Sequence, residues 1–175
     1  MENHVSLIKP TIALQDSYLL FYKEWVESGE NMVPWVISKD PSDFEAMVQF
    51  LLHNEKGENL PEGWVPDSTF WLVAEDQKII GAVNIRYRLT EHLLQSGGHI
   101  GYGIRPSERQ KGYATKLLAL ALEEARRLGI QRALVVCDEH NEASARTIVR
   151  NGGVPDSSYI EENGNVIKRY WIGIG

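Results

Sequence analysis

The chain has 175 residues, of which 43% are apolar and 24% are charged. This length and composition are typical of one globular domain and exclude a disordered or fibrous protein. Eighteen lysines and arginines against 24 aspartates and glutamates give a net charge of −6. That sign excludes a general nucleic-acid binder, because such proteins neutralise phosphates with cations.

The cysteine content and the apolar runs indicate the compartment. The single cysteine, Cys137, excludes an internal disulfide and favours a reducing environment. The N-terminal residues lack the basic and apolar regions of a signal peptide. The longest apolar runs are far shorter than the about 18 residues that a membrane span needs. We therefore expect a complete, cytoplasmic protein with no membrane partner.

The first third of the chain predicts a strand, two amphipathic helices and a loop. Apolar residues recur at helical spacing in Gln15–Ser28, which Gly29 ends, and again in residues 42–53. Residues 54–67 are rich in glycine, proline and acids, and are predicted to form a loop.

The middle of the chain predicts three strands and the clearest helix. The strands are expected at residues 70–74, 79–87 and 99–105, and the helix at residues 111–128, ended by Gly129. The helix has one apolar face, formed by Ala114, Leu117, Leu118, Ala121, Ala125 and Leu128.

The last third predicts a strand, a helix and a hairpin. Residues 133–137 are continuously apolar, as in a strand covered on both faces. A helix is expected at residues 141–150, and strands at 158–162 and 165–174 flank an Asn-Gly turn. The fold class is therefore α/β (α+β): one domain, 1–175, with a mixed, mostly antiparallel sheet of about seven strands and helices on both faces.

The stretch from Gly101 to Ala114 lies between a strand and the clearest helix. A short loop that enters a helix presents several backbone N–H groups at the positive end of the helix dipole. Gly112 and Ala114 allow a ligand to approach the backbone closely, while Arg109 and Lys111 add positive charge. These features are typical of a site for a diphosphate. The alternative is a plain helix start with a Ser-x-x-Gln capping box at residues 107–110.

Two common phosphate motifs are excluded at this loop. The Walker pattern G-x-x-x-x-G-K-[ST] does not occur in the chain. The dinucleotide pattern G-x-G-x-x-G fails because Gly101 and Gly103 are followed by Pro106 where the third glycine belongs. The pattern that does fit is [RQ]-x-x-G-x-[GA].

That pattern is met by Arg109, Gly112 and Ala114, after a strand and a Pro-containing turn. A long helix follows, and then Val-Val-Cys at 135–137 leads to Asn-x-x-Ser-Ala at 141–145. In these features the chain, from about residue 70 to 172, resembles the GNAT N-acetyltransferase superfamily. The pieces Gly-Gly-His-Ile-Gly-Tyr at 97–102 and Ile-Lys-Arg-Tyr-Trp-Ile at 167–172 are similar to a group of uncharacterised bacterial acetyltransferases.

The resemblance implies acetyl-CoA as the acetyl donor, with no metal. The residues predicted to bind it are Tyr102, Gly103, Ile104, Arg109, Gln110, Lys111, Gly112, Tyr113, Ala114, Asn141 and Ser144. Asn141 could instead be only the N-cap of its helix. By the same analogy, residues 69–175 form the cofactor-binding core, and the helical insert 15–67 forms the floor of the acceptor site.

The chain departs from the family pattern at its acid and base. The family often has a tyrosine seven residues after the asparagine, where this chain has Ile148, and the usual Gly-Phe that ends the helix is Gly-Gly at 152–153. The acidic residue often found on the strand before the loop is not evident, and His99 is the nearest titratable group. We therefore predict that His99, or water that it positions, takes the proton of the amine. The alternative is a satisfied strand histidine.

Other chemically capable side chains have ordinary alternatives. Tyr102, Tyr113, Tyr159 and Tyr170 are candidate proton donors, although most tyrosines of such a domain lie at the edge of the core. Cys137 is predicted to be a core thiol. Four tryptophans, at positions 25, 35, 64 and 71, are predicted to pack rather than to bind ligand.

The predicted reaction is direct attack of a primary amine of a small molecule or peptide on the thioester of acetyl-CoA. A backbone N–H within residues 103–105 would stabilise the oxyanion, as the resemblance implies. The alternatives are an acyl-CoA-binding sensor without turnover and a CoA-independent binding protein. Residues 39–67 contain seven acids against two lysines, which favours a cationic acceptor unless the acids only form a solvated face. A homodimer is a candidate assembly.

Overall fold

The computed structural model describes residues 4–58 and 60–175, and within them seven strands and four α-helices. In chain order these are β1 (Val5–Ile8), α1 (Gln15–Ser28), α2 (Phe44–His53), β2 (Asp67–Ala74), β3 (Ile79–Arg86), β4 (Ile100–Ile104), α3 (Tyr113–Arg127), β5 (Arg132–Asp138), α4 (Glu142–Arg150), β6 (Val154–Ile160) and β7 (Val166–Gly173). This is the predicted order of elements. The predicted domain 1–175 and insert 15–67 also include residues 1–3 and 59, which lie outside the described residues.

The strands form two sheets. One has the order β1-β2-β3-β4 and the other the order β5-β7-β6, and all pairings within each sheet are antiparallel. The predicted fold class, with mostly antiparallel strands and helices on both faces, is confirmed. What the sequence did not predict is the division of the strands into two sheets, with β4 and β5 at the division.

The two faces of the first sheet are covered by different helices because successive side chains of a strand point to opposite faces. Trp71 and Val73 of β2 and Ala82 of β3 pack with buried side chains of α1 and α2. On the other face, Leu72 and Val83 pack with buried side chains of α3. The helical segments that precede β2 are thereby fixed on the face opposite to α3.

Helix α3 begins two residues later than predicted. Gln110 and Gly112 have φ angles of 63° and 85°, so the chain leaves the helical region just before Tyr113. The alternative of a capping box at residues 107–110 is wrong, since the N-cap is Gly112, which has no side chain to accept a backbone N–H. Leu128, predicted on the buried face, is 40% exposed because the helix has already ended at Arg127.

Smaller differences lie at other element ends. Helix α2 begins at Phe44, where the Asp43 carboxylate accepts the backbone N–H of Ala46 at 3.1 Å. Strand β6 begins at Val154, earlier than predicted. The polar gap before β4 contains an unpredicted π-helical turn, Leu93–Gly97. No helix of residues 4–58 and 60–175 has the length and apolar character needed to cross a bilayer.

Candidate active site

The two sheets meet at His99, immediately before β4. The backbone N–H of His99 donates to the Leu134 carbonyl at 2.7 Å, and the Leu134 N–H donates to Nδ1 of His99 at 2.9 Å. The imidazole thus takes the place of a backbone acceptor and ends the pairing. Among the described residues, no further backbone hydrogen bond joins β4 to β5. The strands therefore separate beyond His99 and leave a cleft between them.

These contacts contradict a direct base role for His99. Its Nδ1 lone pair is occupied by the Leu134 N–H, so the neutral ring carries its proton on Nε2 and has no other acceptor nitrogen. The side chain is 7% exposed and does not line the cleft. Burial, with a contribution from the nearby Arg86, lowers the pKa of His99. The alternative of a satisfied strand histidine fits this geometry.

The cleft has a volume of about 890 Å³ and lies between β4, β5, the start of α3, α4 and residues 30–35. Most of the residues predicted to bind the cofactor line it, namely Tyr102, Gly103, Ile104, Arg109, Gln110, Gly112, Tyr113, Ala114, Asn141 and Ser144. The exception is Lys111, which does not line the cleft and whose Nζ donates to Glu108 Oε2 at 3.0 Å. The structure thus brings the predicted set together, while its role in binding stays a prediction.

The loop before α3 presents unsatisfied backbone donors to the cleft. In the part of the chain that the structure describes, the N–H groups of Gln110, Lys111, Gly112 and Ala114 have no acceptor. The positive φ angles of Gln110 and Gly112 turn successive N–H groups into a concave arrangement that suits an anion. A Cβ added at Gly112 would meet nothing within 4 Å, so glycine is required there by the backbone conformation and not by space.

Arg109 does not supply the free positive charge that the sequence suggested. Its Nη1 and Nη2 form a two-pronged ion pair with Glu30, at 2.9 and 2.8 Å, and its Nε donates to the Ile104 carbonyl at 3.1 Å. The guanidinium also lies 5.0 Å from the ring centroid of Trp25. Arg109 thereby ties the segment after α1 to the end of β4, and it lowers the pKa of Glu30.

Two cations on α4 were missed in the sequence. Arg146 and Arg150 line the cleft, and their spacing of four residues places them on one helix face. Arg146 Nη1 is 3.9 Å from Glu142 Oε2, and Arg150 has no ion pair within the described residues. The i, i+4 spacing on a helix that follows Asn141 was a signal that could have revealed them.

A pair of hydroxyls spans the cleft between β4 and α4. The hydroxyl oxygens of Tyr102 and Ser144 are 2.8 Å apart, and burial raises the pKa of Tyr102 to about 12. Cys137 lines the cleft nearby, and burial raises the pKa of its thiol. Ile148, at the usual tyrosine position, is fully buried in the core. Tyr102 is thus a proton-bearing group in the cleft, whereas Tyr159 and Tyr170 do not line it.

Asn141 is the N-cap of α4, as one alternative predicted. Its Oδ1 accepts the backbone N–H of Ser144 at 3.0 Å, which satisfies a donor of the first helical turn. The residue also lines the cleft and is exposed there. Capping is therefore confirmed, and a second role toward a cofactor stays a prediction.

Residues 30–35 cross β4 so closely that only glycine fits beneath them. A Cβ added at Gly103 would lie 2.0 Å from the Val33 carbonyl oxygen and 3.2 Å from Trp25. Trp25 and Trp35, predicted to be packing residues, both line the cleft. Trp64 packs edge-on against Trp35, with the ring centroids 5.1 Å apart. This side of the cleft is built by α1 and the segment that follows it.

None of the seven acids of residues 39–67 lines the cleft. Asp43 caps α2, Asp40 accepts from Ser42, and Glu55 pairs with Lys9 at 2.8 Å. The acids therefore do not support a cationic acceptor. The carboxylates that do line the cleft belong to Glu30, Glu108 and Asp138, and each is engaged by a protein donor.

Backbone geometry identifies the free N–H groups of β4. The N–H of Arg105 donates to the Ile80 carbonyl at 2.9 Å, toward β3. Because N–H groups alternate along a strand, those of Ile104 and Tyr102 point away from β3, toward the cleft.

Among the described residues there is no group of three or more His, Cys, Asp or Glu side chains that could hold a metal ion.

Known proteins share this architecture. The chain matches the model of the acetyltransferase (GNAT) domain over residues 7–154, whereas no curated protein sequence matches it. It is similar in structure to the microcin C7 self-immunity acetyltransferase MccE in complex with acetyl-CoA and AMP, at 19% identity, with 99% of this chain and 94% of that chain covered and a TM-score of 0.70.

Two further solved structures are similar at low identity. A chimera of spermidine N-acetyltransferase SpeG from Vibrio cholerae and hSSAT is 15% identical, with 97% and 95% of the two chains covered and a TM-score of 0.68. An acetyltransferase from Salmonella typhimurium that modifies the N-terminal serine of ribosomal protein L7/L12 is 14% identical, with 99% and 97% covered and a TM-score of 0.68. These likenesses concern the fold, while the domain match concerns the family. Since that match spans residues 7–154 of 175, the chain belongs to the GNAT acetyltransferase family.

Proposed function

We propose that this acetyltransferase moves an acetyl group from acetyl-CoA to a primary amine of a small molecule or peptide by direct attack. The observation that carries the proposal is the cleft itself. One continuous space joins the unsatisfied N–H groups before α3 to the free edge of β4, where β4 and β5 separate. Acetyl-CoA needs such a pair of sites, one for its diphosphate and one for the thioester at the end of its long arm.

The donor fits the residues present. The diphosphate would accept hydrogen bonds from the backbone N–H groups of Gln110, Lys111, Gly112 and Ala114, at the positive end of the α3 dipole. Arg146 and Arg150 place further positive charge along α4. When bound, acetyl-CoA supplies an activated acyl group whose leaving group is a thiolate.

The chain's own residues would stabilise the charges that develop. The Ile104 N–H, which points away from β3, is suited to donate to the carbonyl oxygen as it becomes negative. Tyr102, paired with Ser144, keeps its proton at neutral pH because burial raises its pKa to about 12. The pair can therefore donate a hydrogen bond to the departing sulfur, in place of the family tyrosine that Ile148 replaces.

The amine must lose a proton before it attacks. Hydrogen bonds from Lys78 and Lys111 lower the pKa of Glu108, and the Arg109 hydrogen bond lowers that of Glu30, so both carboxylates are weak bases. We infer that the proton leaves to water in the cleft. The occupied His99 and the apolar Ile148 are the observations that favour the second candidate, an acyl-CoA-binding sensor without turnover.

The domain assignment belongs to the same proposal. Residues 69–175 would hold acetyl-CoA and residues 15–67 would form the acceptor side, which the contacts of Val33 and Trp25 with β4 support. A cytoplasmic location, and the absence of nucleic-acid and membrane partners, stay expectations from composition. A homodimer also stays a prediction.

Two measurements test the proposal. Calorimetric titration with acetyl-CoA should show binding, and a thiol-release assay with a panel of primary amines should show turnover with at least one amine. Binding without thiol release would favour the sensor. Absence of acetyl-CoA binding would overturn both candidates and leave a CoA-independent protein on this fold.

A further inference from the structure

Three arginines lie on or beside β4, and two of them are neutralised by carboxylates. Arg105 pairs with Glu24 at 2.5 Å, and Arg109 forms its two-pronged pair with Glu30. Arg86 differs, because no carboxylate of the described residues lies within 4.0 Å of its side-chain nitrogens. Its charge is therefore left without an ion-pair partner.

The Arg86 guanidinium is held at the cleft by carbonyl groups. Its Nη1 donates to the Gly97 carbonyl at 3.1 Å and is 3.4 Å from that of Gly98. A Cβ added at Gly101 would lie 3.4 Å from Nη1 and from Nη2, so the guanidinium lies directly against the bare backbone of β4. Arg86 thus lines the cleft, and its guanidinium is held in place by the carbonyl groups that Nη1 contacts.

Arg86 lies far from the loop that would bind the diphosphate. In the register of β3 and β4, Ile85 pairs with Ile100, at the beginning of β4, whereas the loop follows the end of β4 at Ile104. Four residue steps along β4, roughly 13 Å, lie between these points. A Cβ added at Gly101 would also lie 3.5 Å from Pro34, so Arg86 and Pro34 lie on the same side of β4. It is therefore on the acceptor side of β4.

The acid that faces Arg86 across the sheet attracts its charge but makes no ion pair with it. Asp67 is the cross-strand partner of Arg86 in the sheet register, but it forms no ion pair with it. Asp67 is 4% exposed and its Oδ1 has no hydrogen-bond partner in the structure; burial raises its pKa to about 6, and the charge of Arg86 opposes that rise without a direct contact. His99, whose Nδ1 accepts from Leu134, adds no negative charge. A guanidinium that is partly shielded from solvent and has no ion-pair partner gains binding free energy from an oxyanion that it can bind with two parallel hydrogen bonds.

We propose that Arg86 binds a carboxylate or phosphate group of the acceptor, so that the substrates are primary amines that also carry an oxyanion. This inference rests on the proposed function and names the acceptor class for it. The amine would be directed to the free edge of β4 by the anchoring of its oxyanion at Arg86. Specificity arises because an amine without the oxyanion leaves the guanidinium without an ion-pair partner.

Paired acceptors test the inference. Thiol release from acetyl-CoA is measured with phosphoethanolamine against ethanolamine, and with phenylalanine against phenethylamine. In at least one pair the oxyanion-bearing amine should have a kcat/KM about 10- to 100-fold higher, as expected for hydrogen bonds to a charged group. The first pair reports a phosphate, and the second a carboxylate.

Variants assign the preference to Arg86. Arg86→Gln should remove the preference through a higher KM for the oxyanion-bearing amine, with the Kd for acetyl-CoA unchanged. Arg86→Lys, which keeps the charge but loses the fork, should show an intermediate preference and serves if the Gln variant does not fold. Arg88→Gln is the matched control. It removes the same charge, but Arg88 is exposed and does not line the cleft. Equal turnover within both pairs, or a preference that Arg86→Gln and Arg86→Lys leave intact, would overturn the inference while the proposed function stands.

A binding measurement separates this failure from failure of the proposed function. If no amine of the panel releases thiol, the melting temperature is measured at saturating CoA, with and without inorganic phosphate or acetate. A rise for the wild type and Arg88→Gln that is lost in Arg86→Gln supports an oxyanion site at Arg86. Equal shifts for all three proteins overturn it.

Discussion

The two ends of the cleft are built in different ways. The end at α3 is made by a contiguous loop, residues 109–114, whose contribution is mainly unsatisfied backbone N–H groups. The end at the beginning of β4 combines Pro34, Arg86, Gly97 and Gly101, which come from separate segments. A site made of consecutive backbone groups leaves a local sequence motif. A site made of distant side chains is visible only once the sheet has brought them together.

The largest expected effect is at the loop. Gly112→Asp should raise the Kd for acetyl-CoA at least about 100-fold, because a carboxylate about 4 Å from one phosphate charge costs about 4 kcal/mol at an effective dielectric of 20. Calorimetry measures this directly. Gly112→Asn is the matched control, since Asn has nearly the same shape, tolerates the φ of +85° better than most residues and carries no charge.

A second control separates charge from backbone strain in that experiment. Gly129 has a φ of +88° and likewise has open space around its Cβ position, but it follows the other end of α3. Gly129→Asp should therefore bind acetyl-CoA as the wild type does. Normal affinity in Gly112→Asp, or equal loss in Gly112→Asn, would show that the loop does not hold the diphosphate.

The next effect concerns the contact between residues 30–35 and β4. Gly103→Ala should lower the free energy of unfolding by about 3 kcal/mol, because the new methyl group would lie 2.0 Å from a backbone carbonyl that cannot move alone. Urea denaturation measures the change. Gly101→Ala on the same strand is the control, since its nearest contacts would be 3.4 Å, and it should cost less than about 1 kcal/mol. Equal costs would mean that residues 30–35 are not fixed on β4.

The same contrast explains what the sequence predicted. The order of elements followed from local periodicity and breakers, as for α1, whose predicted bounds and end at Gly29 match the structure, with a φ of 71° at that glycine. The loop at 109–114 was also predicted, because its chemistry lies in consecutive residues. For His99 the sequence left a base and a satisfied strand histidine open, because its Nδ1 bonds to Leu134, 35 positions away, and no local pattern reports that contact.

Charge was the least predictable property. Arg109 looked free in the sequence but pairs with Glu30, 79 positions earlier. The acids of residues 39–67 suggested either a cationic acceptor or only a solvated face, yet none lines the cleft; Asp43 caps a helix, Glu55 pairs with Lys9 and Asp67 is buried. Composition counts charges, whereas the potential in a cleft depends on which charges are left unpaired there.

Asp67 gives a prediction about stability and pH. Burial raises its pKa from 3.8 to about 6. Between these two pH values the carboxyl is therefore protonated in the folded state and ionised in the unfolded state. Stability contributed by this group is therefore present below about pH 4 and is lost as the pH rises through about 6. Two pKa units correspond to about 2 to 3 kcal/mol.

Asp67→Asn isolates that effect. The difference in unfolding free energy between variant and wild type, measured from pH 4 to pH 8, should move in favour of the variant by about 2 kcal/mol, because the amide has no ionisation cost. The control is Asp40→Asn, at a carboxyl on the surface that accepts from Ser42. A pH-independent difference for Asp67→Asn would show that the carboxyl is ionised at little cost.

The smallest expected effect separates capping from binding at Asn141. Asp is as good an N-cap as Asn, so Asn141→Asp should keep the bond to the Ser144 N–H and change the unfolding free energy by less than about 0.5 kcal/mol. Asn141→Ala, which loses the cap, should cost about 1 kcal/mol. If the amide also contacts acetyl-CoA, Asn141→Asp should weaken binding about 3- to 10-fold, because the new carboxylate cannot donate a hydrogen bond. Wild-type affinity in Asn141→Asp would restrict Asn141 to its structural role, and the sequence motif at 141–145 would then report only the start of α4.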